Sequence, residues 1–462
     1  MRSATGTVRI GAGLGFYGDS WRPIRASIER GGAQYIASDH LSELTLAILQ
    51  KDRQRDPSAG YARDAVPMLA ELWPLAAPRG VKFVLNAGGL NPPGARQAIA
   101  RLFREKGWKA RIATVTGDAV LERIDELRAA GEPLAHMDTG ATIDGVRGRM
   151  LFASAYLGAQ PIAEALARGA DIVLTGRVAD AALTLGPLAH EFGWRWDDWE
   201  RLAAGLALGH LLECSGQGSG GNFGSAHDWA LVPDYAHIGY PIAEACADGG
   251  AVLCKAPGTG GRVSFDTVRQ QLLYEVHDPH AYFSPDVVLD MGTLRFDDQG
   301  NDRVRISGAS GAPRPKTLKI VGGYHDGWMG SGIMGFAWPE AYAKCEKAAE
   351  TIRAWVAERG WQPEELNEEY IGYNSLLGAN ADPTYRDQLN ECFLRMTLRT
   401  PDKRIADAFG RLFPWLGLSG PPYVGSMKGV QPAKELLGIW PTLVRRESIE
   451  SRVEVSLEEV GS

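Results

Sequence analysis

Five times between Val8 and Gly193 the chain repeats one unit: a short apolar run, a turn of glycine or polar residues, then a helical pattern. VRIGAG leads through GLGFYGD to a helix around residues 23–30. YIAS leads to Asp39-His40 and LSELTLAILQ. VKFVLN leads to AGGLNPPG, where Pro92 and Pro93 open ARQAIARLFREKG. ARIATV leads to TGDAVLERIDELRAA, and DIVLTG to RVADAALTLGPLAHEFG. This alternation limits the fold more than any other feature. It predicts βαβ units and an α/β class protein with a Rossmann-like, mostly parallel, doubly wound sheet. Ligands of such sheets sit beyond the carboxyl ends of the strands. Gly13, Asn86, Thr116 and Thr175 are therefore expected on one edge.

After about Lys255 the texture changes to shorter strands, Asp-Gln-Gly-Asn turns and more charge, which reads as a second, α+β domain. The expected domains are residues 1–258 and 259–462. In the second, TLKIVGGY reads as a strand, HDGWMGSGIMG as a Gly-rich connection, and PEAYAKCEKAAETIRAWVAERG as a helix. EYIGYNSLL is strand-like, YRDQLNECFLRMTLRT helical, and RVEVSLEE a further strand.

The net charge of −7, with both signs mixed throughout, argues against nucleic acid as the main partner. No apolar run is long enough to span a membrane, and MRSATGTVRIGAG has no signal-peptide core. Five cysteines without CxxC pairing fit reduced thiols and a cytoplasmic location.

The first turn, Gly11-Ala-Gly13-Leu-Gly15-Phe16, puts Phe16 where a dinucleotide fingerprint needs its third glycine. It allows a ligand close to the backbone at Gly13 and Gly15 without establishing NAD(P) as cofactor. Asp39 after the second strand could hold a ribose, and with His40 it could equally be a catalytic or capping pair, a helix N-cap being the plain alternative. Asn86, Gly88 and Gly89 form a second polar turn that can donate, accept and leave room for substrate. At Thr175-Gly176-Arg177-Val178-Ala179-Asp180 a strand hands over to a helix. There Arg177 and backbone amides suit an anion, the alternative being an Arg177–Asp180 structural pair.

The densest glycine segment follows the apolar run WERLAAGLALGHLL, which delivers Glu213 and Cys214 to its end. Gly216, Gly218, Gly220, Gly221 and Gly224 are interleaved with Gln217 and Asn222. Glycine is costly to order, so backbone here is expected to approach a ligand closely. A helix C-terminus opposes the charge of Glu213 and an apolar setting desolvates it; both raise its pKa toward general acid–base use. Glu244, in YPIAEA, is a second candidate acid; for each the alternative is a buried acid satisfied by an amide or an arginine. Cys214 lacks a histidine at any familiar nucleophile spacing. His277, His280, Asp286 and Asp290 suggest metal ligation, but Pro279 prevents a helical histidine pair and no zinc spacing completes the set, so no metal is assigned. GxSxG and GxxxxGK[ST] are both missing from the sequence.

GAGLGFYGD, NAGGLNPPG, TGRVADAAL, GHLLECSGQGSGGNF, YPIAEA and YFSPDVVLDM, in this order over about residues 8–450, resemble the acyclic terpene utilisation AtuA-like family. The resemblance implies a catabolic setting in which branched acids are processed as acyl-CoA thioesters. Longer members carry a ferredoxin-like C-terminal module, which implies a small companion subunit here, and a homo-oligomer is expected on general grounds. The combined expectation is a lyase, of hydratase or carbon–carbon-cleaving type, acting on a carboxylate or branched acyl-CoA. Glu213 would exchange a proton next to the carbonyl, with Asp39, His40 or Glu244 opposite. Gly13, Gly15, Asn86, Gly88, Gly89, Arg177 and Asp180 would hold the substrate, and Gln217 and Asn222 would polarise its oxygen. This chemistry needs no redox cofactor. The rival expectations are a non-catalytic CoA-binding or assembly subunit and an NAD(P)-dependent oxidoreductase.

Overall fold

A computed structural model describes residues 6–224, 227–425 and 429–461. Strands β1 (Thr7–Ala12), β2 (Tyr35–Ser38), β3 (Lys82–Leu85) and β4 (Ala110–Thr116) form as the repeat predicts. β5 (Met150–Ala155) intervenes before β6 (Ile172–Thr175), and β7 (Pro241–Cys246) and β8 (Ala251–Lys255) follow. The helices are α1 (Arg22–Glu29), α2 (Glu43–Arg55), α3 (Ala65–Ala76), α4 (Pro92–Lys106), the short α5 (Ile124–Ala129) and α6 (Asp144–Arg147), α7 (Gln160–Ala167), α8 (Ala182–Phe192), α9 (Trp199–Glu213) and α10 (Phe265–Leu273). Ser42 caps α2 and Asn91 caps α4 through their side chains, ahead of Pro92 and Pro93.

The main sheet has ten strands. Its parallel run is β1-β2-β3-β6-β4. From β1 to β4 every crossover moves the same way, so right-handed connections put α1, α3 and α4 on one face. The step back from β4 to β6 puts α7, and with it α8 and α9, on the other. Both faces are covered, which explains why these strands read as apolar throughout. The order of the parallel run reverses between β4 and β6. The protein is accordingly a mixed α/β fold with one large mixed sheet and further antiparallel sheets.

β7, β8 and the strands at 304–307 and 295–298 extend the same sheet antiparallel beyond β1. Antiparallel pairing thus begins at β7, ahead of the change of texture near residue 255. The compact units divide elsewhere: residues 1–323 with 439–462 form one, and 324–438 the other. Residues 259–323 thus belong with the first unit, not with a domain starting at 259. In the second unit the Gly-rich HDGWMGSGIMG is strand, part of Thr317–Ala337. Its glycines admit neighbours at contact: a Cβ on Gly332 would overlap the Phe413 ring and one on Gly330 the Ala406 backbone. ECFLRMTLRT, expected as helix, is the adjacent strand, with Cys392, Leu394, Met396 and Leu398 buried in alternation beneath helix Ala341–Glu358. Among the described residues no helix is long and apolar enough to cross a membrane.

Candidate functional site

Parallel register brings the ends of β2, β3, β6 and β4 side by side, so Asp39, Asn86, Arg177 and Asp118 line one edge. Asn86, fully buried, ties two turns together. Its Nδ2 donates to Asp39 Oδ1 (2.5 Å) and its Oδ1 accepts the His40 amide (2.6 Å). Burial pushes the Asp39 carboxyl well above the usual carboxylate range; the nearby Asp180 adds to this, while Arg177 and the Asn86 bond oppose it. Asp39 also accepts the Leu41 amide at 2.9 Å, which is turn chemistry and not the N-cap of α2, a place taken by Ser42. The His40 ring is buried between Asp64 Oδ1 (3.0 Å from Nδ1) and Ser38 Oγ (3.1 Å from Nε2).

Arg177 is 3% exposed. Its Nη1 donates to Asp180 Oδ1 (2.6 Å) and the Val178 carbonyl (3.0 Å), and its guanidinium lies 4.1 Å from the Tyr156 ring centre. Burial is the largest influence and opposes its charge, but Asp180, Tyr156 and Asp39 together hold the guanidinium well above its ordinary value. Arg177 and Asp180 therefore form the structural pair, with Nε left without an acceptor among the described residues. The Asp180 side chain remains 33% exposed. The Arg177 amide donates to Asp118 (2.9 Å), whose carboxyl burial pushes up to about 6 against that bond. Unfolded, Asp118 loses its proton near the ordinary carboxylate value; folded, only near 6. Between the two the folded state binds the extra proton. This contribution is therefore complete at low pH and is lost as pH rises through 6, roughly 3 kcal/mol in all. Asp118→Asn is expected to flatten the fall in stability between about pH 4 and 7, measured by chemical denaturation at several pH values. An unchanged slope would assign the fall to other groups.

The Glu213 arm depends on close helix packing. A Cβ on Gly209 would lie 2.5 Å from the Ala181 carbonyl, and one on Gly205 2.5 Å from Leu185. These two glycines let α9 lie against α8, so its last turn ends over Asp39 and Asp180. The three carboxylates of Asp39, Asp180 and Glu213 line one small cavity with Leu183, Thr184 and Leu212.

Glu213, its side chain 10% exposed, meets His210 Nδ1 at 2.8 Å. His210 Nε2 faces the Leu272 carbonyl at 3.0 Å. A carbonyl only accepts, so Nε2 carries hydrogen. Nδ1 can then accept a proton from Glu213, or hold one and donate it to the carboxylate. Either way the pair keeps one proton to share. Burial raises Glu213 against the pull of His210, and the Glu213 carboxylate raises His210 against burial. The Tyr282 ring packs at 5.1 Å from the imidazole. His210, Tyr282 and Asp118 were not among the expected site residues. For His210 the signal was present, since i,i+3 residues share a helix face.

Beyond Glu213 the chain enters a cleft of about 1150 Å³ lined by Gly15, Cys214, Gln217 and Asn222. Asn222, at φ +54°, donates to Gln217 Oε1 (3.3 Å), Gln217 donates to Gln271 (2.9 Å), and the buried Gln271 donates to the His210 carbonyl (3.0 Å). Cys214 is no activated nucleophile, for burial drives its thiol well up.

Other expected residues lie apart or act differently. Glu244 pairs with Arg9 (2.5 Å) across β7 and β1, toward the amino end of β1 and away from the cluster. Gly13 permits strand contact, since a Cβ there would lie 2.4 Å from that of Ser38. Gly15 abuts Cys214 and Ser215, Gly88 the Thr175 carbonyl, and Gly89 (φ +54°) Leu49. Gly13, Gly88 and Gly89 are thus occupied by protein contacts, while Gly15 also lines the cleft. His280 meets Asp290 (3.0 Å), while Asp286 accepts the Ala159 amide through both oxygens (3.0 Å each).

Fold and site together define an α/β protein with a buried acid–histidine cluster at the carboxyl edge of its parallel strands, beside a large cleft. The chain belongs to the acyclic terpene utilisation AtuA family, whose model matches residues 8–455. No curated protein and no solved structure matches it.

Proposed function

We propose that this protein is a lyase, of hydratase or carbon–carbon-cleaving type, that moves a proton at a carbon next to a carbonyl in a carboxylate or branched acyl-CoA. The observation that carries the reading is the Glu213–His210 pair, which retains one transferable proton because Leu272 commits Nε2 as a donor. A general acid works best when it is neither fully ionised nor inert near the working pH. The opposite role falls to Asp180, one-third exposed on the same cavity, with Asp39 behind it. Gln217 and Asn222 would polarise the carbonyl oxygen, a role supported by the hydrogen-bonded chain to Gln271 that holds them in advance. The family description, acyclic terpene utilisation, supports a catabolic setting.

The test is isotopic. In deuterated buffer the purified protein is expected to catalyse exchange of the hydrogen next to the carbonyl in a branched acyl-CoA or its free acid, followed by NMR. A protein that folds but exchanges none of the panel would overturn the reading.

A further inference from the structure

The 1150 Å³ cleft exceeds what a branched acid alone would fill; drug-sized ligands occupy roughly 300–1000 Å³. One wall is formed by Arg22 and Ala26 of α1 and by Arg30, the residue that ends it. Eight residues along a helix place these two arginines ~12 Å apart. Arg30 reaches over the Gly258 turn, where a Cβ would lie 2.9 Å from its Nη1. Among the described residues neither guanidinium meets a carboxylate. The acids of the cleft, by contrast, are occupied. Asp19 accepts the amides of Gly15 (3.0 Å) and Ser20 (2.7 Å), and Asp234 faces His237 (2.9 Å). Two aromatic faces stand open on the same cleft, Phe16 (58% exposed) and Tyr235 (45%). Cys214, which follows Glu213 in the chain, and Gln217 also line it.

From this we infer that the cleft along α1 binds the nucleotide handle of a carrier thioester: a purine against Phe16 and Tyr235, its phosphates on Arg22 and Arg30. Guanidinium forks fit phosphate oxygens, and an exposed ring accepts a base by stacking. The carrier's arm then runs past Gly15 to the acyl end at Glu213. The position of the acyl end rests on the reading of Glu213 as the proton-transfer residue; the nucleotide site does not.

The probe is adenosine 3′,5′-bisphosphate, titrated into the full chain by calorimetry at low and high salt. Saturable binding that weakens with salt is expected. The double variant Arg22→Gln, Arg30→Gln, both exposed and free of ion pairs among the described residues, should bind at least tenfold more weakly with an unchanged melting temperature. Glu213→Gln should titrate like the parent protein. Absence of saturable binding, equal affinity in the double variant, or tighter binding of NAD(H) or NADP(H) than of the bisphosphate would overturn the assignment. Bisphosphate binding without proton exchange at any acyl group would sink the lyase reading and leave the nucleotide site standing.

Discussion

Glu213→Gln is expected to lower catalysed proton exchange by about 10²–10⁴-fold, the range that a positioned acid or base contributes. Glutamine keeps the shape and still donates from its amide to His210 Nδ1, so the 2.8 Å contact and the end of α9 survive. It cannot release a proton, so the imidazole is left neutral with no proton to share. The melting temperature should therefore barely move, whereas the exchange rate collapses. Both are read on one preparation: exchange by NMR, folding by a thermal scan. A variant that unfolds would make Glu213 a structural acid, and one that exchanges normally would move the chemistry to Asp180 or Asp39.

Arg177→Ala should do the opposite, removing stability before anything else. Among the described residues the side chain supplies the guanidinium that acts on Asp39, Asp118 and Asp180, and it covers the Tyr156 ring. Breaking a buried pair by deleting one partner leaves uncompensated charge and typically costs about 3–5 kcal/mol. The expected readout is a large fall in the urea midpoint at neutral pH. A loss below about 1 kcal/mol would show that Arg177 is free to serve a substrate anion. Arg177→Lys should recover little, because an ammonium neither forks nor stacks in the same way.

Much of this edge was legible in the sequence. Asp39, Asn86 and Arg177 each close an apolar run, and parallel pairing of those runs is enough to set them side by side. The turn glycines were equally visible, but their purpose was not. Gly13 and Gly88 admit Ser38 and Thr175, contacts between distant segments that no local pattern announces. Glu244 shows the same limit, since its partner Arg9 follows from an antiparallel neighbour 235 residues away in the chain. The strand Glu391–Thr400 was hidden for another reason. Its first residues follow a turn of helix at Pro383–Gln388, and the joined stretch carries enough helix formers to mask the period of two. His210 lay in plain view at a helical spacing from Glu213. Only the Leu272 carbonyl, contributed by α10, shows why the two must share a proton.

The strand Glu454–Val460 pairs along the whole of β4. A ribosome delivers those seven residues hundreds of positions after β4 has left the exit tunnel. Throughout synthesis, the outer edge of β4 therefore offers bare amides and carbonyls to any passing strand. A chain cut before Glu454 is therefore expected to be sticky at that edge, not merely shorter.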